Sequence, residues 1–144
     1  MASQDDLDLS YLRMAYIWSA LSKARRKKVG CLIVKDQTII SDGFNGMPSG
    51  FLNDCETWKN GDWVTNPEVL HAESNAITKL AKSTQSSIGS TLYTTCAPCL
   101  SCSKLIVQSG ISRVVFREIY RNLDGLLLLK NADINIKRIK IINE

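Results

Sequence analysis

Apolar residues recur at Leu9, Leu12, Ala15, Tyr16 and Leu21, with no Gly or Pro between them. That period predicts an amphipathic helix over Leu7 to Ser22. Two short apolar runs come next, Val29 to Lys35 and Thr38 to Gly43, separated by Asp36-Gln37. They predict strands joined as an antiparallel hairpin. Phe44 to Gly50 is a turn-rich loop; its glycines, together with Gly43, permit unusual backbone angles and close approach to a ligand. No period is visible from Phe51 to Pro67, which holds Cys55, Trp58 and Trp63 and reads as a packed surface loop. Thr65 or Asn66 is a suitable cap for the next helix.

Helical spacing returns from Leu70 to Lys82, with His71 and Glu73 in the first turns. After a polar turn from Ser83 to Ser90, Thr91 to Thr94 reads as a strand and Pro98 to Ser109 as a helix. Proline suits the first helical position, and Gly110 is placed to end the helix. Arg113 to Arg117 predicts a strand and Leu123 to Ala132 a helix despite Gly125. A last strand is expected from Ile134 to Ile142, with Ile134, Ile136 and either Ile139 or Ile141 on its buried face. Helices alternating with strands in the second half imply right-handed crossovers and parallel pairing there. The expected fold is α/β, a three-layer α/β/α sandwich over a mixed five-stranded sheet. No repeat or linker divides the chain, so residues 1–144 are expected to form a single domain.

Composition narrows the class. A chain that is 44% hydrophobic and 22% charged falls within the range of soluble globular proteins. The polar, acidic start is unlike a signal peptide, and runs such as Leu126 to Leu129 are far too short to span a bilayer. A cytoplasmic location is expected, where five cysteines act as thiols or metal ligands rather than as a disulfide framework. The net charge of +4 is unevenly placed: Lys23, Arg25, Arg26, Lys27 and Lys28 lie within six positions. Such a run can bind nucleic acid, hold a small-molecule phosphate, or be a solvated helix end favoured by the macrodipole. The near-balance of 18 basic and 14 acidic residues argues against nucleic acid.

The chemistry concentrates in a split motif, His71-Ala72-Glu73 and Pro98-Cys99-Leu100-Ser101-Cys102. His71 is the only histidine. Ligation by His71, Cys99 and Cys102 would leave one tetrahedral position of a Zn²⁺ ion open, and Glu73 supplies a carboxylate beside it. That is the composition of a hydrolytic rather than a structural zinc site. Two residues apart on a helix, His71 and Glu73 would point about 200° apart, which suits separate duties as ligand and acid/base group. Cys99 and Cys102 would share one face of a first helical turn, where exposed N–H groups favour thiolates. Zinc so held can lower the pKa of its water to about 7. In the nucleobase deaminases that this H-x-E…P-C-x-x-C arrangement resembles, attack at C4 of a cytosine ring needs protons carried to N3 and to the departing amine, work for Glu73. A lone CxxC also occurs in ordinary cores; the H-x-E…P-C-x-x-C conjunction is specific and marks zinc-dependent nucleobase deaminases. Cys31 is expected in the core and Cys96 as a bystander. Cys55 has no second histidine with which to build another metal site.

Longer blocks sharpen this. His71-Ala72-Glu73-Ser74-Asn75-Ala76-Ile77 resembles the HAExNAI block of deoxycytidylate (dCMP) deaminases, and Pro98 to Ile106 resembles their PCxxCAKxII block. Gln108-Ser109-Gly110-Ile111, Val114-Val115, Arg26-Lys27-Lys28-Val29-Gly30 and Gly43-Phe44-Asn45-Gly46-Met47-Pro48 fit the same family. The zinc motif is common to the whole cytidine deaminase superfamily; the Gly43 to Pro48 loop behind a basic run narrows it to the dCMP branch. The resemblance implies conversion of dCMP to dUMP and ammonia, supplying dUMP for thymidylate synthesis. It implies Asn45 on the deoxyribose, Arg26 with help from Lys28 on the 5′-phosphate, and Tyr120 and Ala72 bordering the base. It also implies a homo-hexamer activated by dCTP and inhibited by dTTP, with Mg²⁺ on the triphosphate and effector contacts from Gly46, Met47, Gly50 and Asn53. The chain departs from larger members in its short Cys55–Leu70 insertion, which lacks the histidines of a second zinc site, and in Phe44, where tyrosine is common. Three alternatives remain: a dCMP/dCTP deaminase, a tRNA adenosine or guanine deaminase, and a nucleic-acid-binding module with structural zinc.

Overall fold

The computed structural model describes residues 1–140. The elements run α1 (Gln4–Ser19), β1 (Gly30–Lys35), β2 (Thr38–Phe44), β3 (Glu56–Lys59), β4 (Asp62–Thr65), α2 (Ala72–Leu80), β5 (Thr91–Cys96), α3 (Leu100–Gln108), β6 (Arg113–Glu118), α4 (Asp124–Asn131) and β7 (Asn135–Arg138). Five strands form one sheet in the order β2-β1-β5-β6-β7. β1 pairs antiparallel with β2 and β5, whereas β5, β6 and β7 run parallel. This is the mixed sheet the alternation of elements implies.

Strand alternation divides the core. Cys31, Ile33, Leu92, Val114 and Phe116 face a cluster with Ala72 and Ala76 of α2, Ile106 of α3 and Leu129 of α4. Leu32, Val34, Tyr93 and Val115 point the other way, against Ala15 of α1. Three helices therefore cover one face and α1 the other, completing the three layers. Cys31 is core, as expected. Ile134 and Ile136 pack on the three-helix side and Ile139 on the α1 side; Ile141 and Ile142 lie outside the described residues. Among the described residues no helix is long and apolar enough to cross a membrane.

Several boundaries move for identifiable reasons. Helix α1 starts at Gln4 because Ser3 and Asp6 form a reciprocal capping box. It stops at Ser19, so Leu21 is exposed and the basic run lies in the connection to β1 rather than in a helical last turn. Asp36 and Gln37 have φ of 50° and 59°, making the expected hairpin a two-residue turn with both residues left-handed.

The segment read as an irregular loop instead contains the β3–β4 hairpin. Its turn residues Asn60 and Gly61 have φ of 49° and 81°, and Asn-Gly is itself a strong hairpin signal. What hid the strands is their exposure. Neither face alternates against the core, and Trp58 and Trp63 pack edge-on against each other at 5.3 Å. Asn66 caps no helix: its amide bonds Thr57 and the Asp54 carbonyl, and His71 takes the cap position of α2.

One polar cluster fastens α1 to the sheet. Asp8, fully buried, accepts hydrogen bonds from Tyr93 Oη at 2.6 Å, Arg113 Nη1 at 2.8 Å, Lys137 Nζ at 2.9 Å and Gln4 Nε2 at 2.9 Å. Burial would raise the pKa of this carboxyl, but Arg113, Tyr93 and Lys137 together hold it well below the ordinary range.

Candidate active site

The ends of α2 and α3 meet at the tips of β5 and β1. His71 and Cys99 are the cap residues of α2 and α3, both with extended backbone (φ −73°, ψ 159° and φ −71°, ψ 173°). Pro98 therefore precedes the cap instead of opening the helix. Because His71 stands before the helix, the 200° twist argument does not govern it. The extended cap leaves His71 exposed, while Glu73, two residues on, is buried at 4% exposure. Cys102, in the first turn of α3, is likewise buried.

His71 Nδ1 lies 3.5 Å from Cys99 Sγ and 3.2 Å from Cys102 Sγ, and the three donor atoms fall within 4.8 Å of one another. Zn–S bonds of about 2.3 Å and Zn–N bonds of about 2.0 Å at a tetrahedral angle place N and S roughly 3.5 Å apart. The donor set thus fits a zinc ion with one position left for a non-protein ligand. Hydrogen bonds from the Cys102 thiol and the His71 ring draw the Cys99 thiolate well below the ordinary range, and the Cys102 thiol is pushed up by the same pairing. A divalent cation between the two sulfurs would favour both as thiolates. Among the described residues this is the one cluster of metal-ligating groups, so Cys55 has no second site.

Burial raises the pKa of Glu73, partly offset by a hydrogen bond from Thr94 Oγ1 at 2.8 Å. The same hydroxyl lies 2.9 Å from the Cys96 carbonyl. With one proton and two lone pairs, it can donate to an ionised Glu73, or accept from a protonated one while donating to Cys96. Thr94 therefore accommodates both protonation states, a feature absent from any short motif.

A cleft of about 670 Å³ opens beside these groups, lined by His71, Glu73 and Cys99 together with Arg26, Asn45, Ala72 and Tyr120. Lys28 does not line it. Lys27, Glu56, Cys96 and Arg121 do, and sequence reasoning missed all four. Cys96, expected as a bystander, is part of the wall. Lys27 Nζ is paired with Glu118 at 3.3 Å. Nothing in a run of five cations tells which of them faces inward. Asn45 is committed to the main chain at both ends of its amide, donating to the Lys27 carbonyl at 2.8 Å and accepting from Val29 N at 2.9 Å. One N–H and one lone pair remain for a ligand.

The four residues suggested for effectors lie outside the cleft. Gly46 bridges to Leu70, Gly50 is exposed with φ of +90°, and Asn53 accepts from Met47 N at 3.2 Å. Asn53 also lines a neighbouring hollow of about 700 Å³ with Lys23, Arg25, Trp58 and Trp63, where the Arg25 guanidinium sits 4.3 Å over the Trp63 ring.

At Gly43 and Gly125 the close approach is to the main chain of the fold itself. A Cβ on Gly43 would fall 2.4 Å from the Ala72 carbonyl oxygen, and one on Gly125 would fall 2.2 Å from that of Pro98. Gly125 therefore lets α4 rest directly on the loop that carries Cys99. Gly125→Ala is expected to cost about 1–3 kcal/mol through this overlap. It should also weaken zinc retention; thermal denaturation and chelator competition would show both, and unchanged zinc affinity would mean the ligand loop does not depend on α4.

Residues 5–118 match the family model for the cytidine and deoxycytidylate deaminase zinc-binding region. The chain belongs to this deaminase family. The deoxycytidylate deaminase of Saccharomyces cerevisiae is 33% identical over 144 residues, covering 95% of this chain and 46% of the yeast protein. That of Enterobacteria phage T4 is 33% identical over 165 residues, covering 87% of this chain and 86% of the phage protein. Among solved structures, the dCMP deaminase of cyanophage S-TIM5 in complex with dCMP and dUMP superposes with a TM-score of 0.89. It is 40% identical, over 96% of this chain and 100% of the cyanophage chain. The chain thus spans about half the length of the yeast relative and nearly all of the phage ones.

Proposed function

We propose that this deaminase hydrolyses dCMP to dUMP and ammonia, with Zn²⁺ held by His71, Cys99 and Cys102 and with residues 1–144 acting as one catalytic domain. The observation that carries the reading is one cleft containing His71, Cys99 and Glu73 together with Arg26 and Asn45. The dCMP and dUMP bound to the similar cyanophage enzyme support it.

Zn²⁺, when bound, supplies the Lewis acidity that makes a hydroxide nucleophile available near neutral pH. Glu73 takes a proton from the attacking water and delivers it to N3 of the ring as C4 is attacked. A second proton passes through Glu73 from the new C4 hydroxyl to the amine, which leaves as ammonia. The raised pKa of the buried carboxyl suits a group that must both take and give a proton. Tyr120 and Ala72 border the base, and the free capacity of the Asn45 amide serves the deoxyribose. Arg26 meets the 5′-phosphate, for which a planar guanidinium is suited. Lys27, rather than Lys28, takes the supporting role, because it lines the cleft and Lys28 does not.

Arg26→Ala should lower kcat/KM for dCMP about 10–100-fold, the worth of one or two charge-assisted hydrogen bonds. Its effect on deoxycytidine should be slight. Ammonia release from dCMP, CMP, dCTP and deoxycytidine measures this directly; equal losses on dCMP and deoxycytidine would remove Arg26 from the phosphate site. Comparable turnover of dCTP would favour the dCMP/dCTP reading. On the resemblance alone the proposal extends to dCTP activation, dTTP inhibition with Mg²⁺ on the triphosphate, and a homo-oligomer. Activity titrations with each triphosphate, alongside sedimentation, test that extension.

A further inference from the structure

The six residues from Lys23 to Lys28 carry five cations in an irregular connection between α1 and β1. Charge repulsion alone would splay such a segment. It is held instead by a carboxylate from a distant element. Glu56, at the start of β3 and only 8% exposed, accepts from Arg25 N at 2.7 Å and 3.0 Å through its two oxygens, and from Arg26 N at 3.4 Å. Two successive main-chain N–H groups converging on one anion form the kind of concavity that often binds phosphate. In this protein its own carboxylate fills it.

A nucleotide phosphate in the cleft therefore does not find those two N–H groups free, and of Arg26 it is the side chain that is left to meet it. The direction in which Arg26 leaves the loop is set by the short anchor one residue before it, at Arg25 N, with a longer contact at its own amide. Asn45 closes the other end of the same segment through Lys27 O and Val29 N. Glu56 itself lies in the wall of both the cleft and the neighbouring hollow.

We propose that Glu56 is a positioning residue for phosphate recognition: its carboxylate occupies the N–H concavity of Arg25 and Arg26 and thereby fixes the Arg26 side chain in the cleft. The inference rests on the reading of Arg26 as the phosphate contact.

The test is steady-state kinetics on zinc-loaded Glu56→Ala and Glu56→Gln, with dCMP as substrate and deoxycytidine as substrate or competitive inhibitor. Glu56→Ala should raise KM for dCMP at least about tenfold while kcat stays within about twofold, since the chemistry is untouched. The affinity for deoxycytidine and the zinc content should not change. Glu56→Gln keeps the shape and one acceptor oxygen, so its dCMP KM should rise by a smaller factor, at least about threefold. In the pair Arg26→Ala and Glu56→Ala, the double variant should lose no more on dCMP than Arg26→Ala alone, because the anchor acts through that side chain. Equal losses on both ligands, multiplying losses in the double variant, or an unchanged KM in Glu56→Gln would overturn the proposal. If Glu56→Ala does not fold, Glu56→Gln alone decides. An Arg26→Ala variant with normal dCMP kinetics would instead defeat the phosphate reading; normal Glu56 variants beside a defective Arg26→Ala would defeat this inference only.

Discussion

Glu73→Gln is expected to lose at least about 10³-fold in turnover while still binding one zinc ion, because general acid–base catalysis supplies about 10²–10⁴ per group and Glu73 serves two transfers. Glutamine preserves the size of the side chain and an acceptor for the Thr94 hydroxyl, so the fold and the donor set should survive. It cannot take up the proton of water. The groups placed so that they could hold a metal lie elsewhere, His71 Nδ1 and two sulfurs within 4.8 Å of one another. Metal analysis and ammonia release on the same preparation make the check. Loss of zinc in this variant would make Glu73 a ligand or a support for the ligands, and residual turnover within tenfold of the parent would remove it from proton transfer.

The second large effect concerns stability. Asp8→Asn should destabilise the fold by about 2–3 kcal/mol, since it takes the charge from a fully buried group whose cationic partners, Arg113 and Lys137, are themselves only partly buried. In the parent, Asp8 joins α1 to β5, β6 and β7 through Tyr93, Arg113 and Lys137. Its pKa is lowered in the folded state. A lowered folded pKa contributes stability that is present above the unfolded carboxylate value, near 3.9, and is lost as pH falls through the folded value. The gap between parent and variant should accordingly be full at pH 7 and shrink in acid. Urea unfolding at pH 7 and at a pH below about 3.9 reads it directly. A difference below about 1 kcal/mol at pH 7 would show that the cluster is replaceable.

Much of the architecture was legible from pattern. Short apolar or β-branched runs in β1, β5 and β6 are strong because these strands are buried on both faces, and helical spacing in α2 and α3 because each helix buries one face. The β3–β4 hairpin was illegible by alternation, since both of its faces meet solvent, although Asn60-Gly61 announced its turn. Helix ends shifted where a cap decided them, at Ser3, His71 and Cys99. Asp8 went unnoticed because an acidic N-terminal stretch looks solvated; only the meeting of α1 with three strands buries it.

The sequence by itself determined which residues are the candidates for chemistry. One histidine, a CxxC behind proline and a carboxylate two residues from the histidine have the composition of a three-ligand zinc site with an acid/base partner, because ligand type and local spacing are written in short motifs. Tertiary structure decided which of the neighbouring cations enter the cleft. Arg26 and Lys27 line it and Lys28 does not, because anchors from Asn45 and Glu56, up to 31 residues along the chain, set the path of the loop. A hydrogen bond that closes over such a separation leaves no periodicity in the residues it joins.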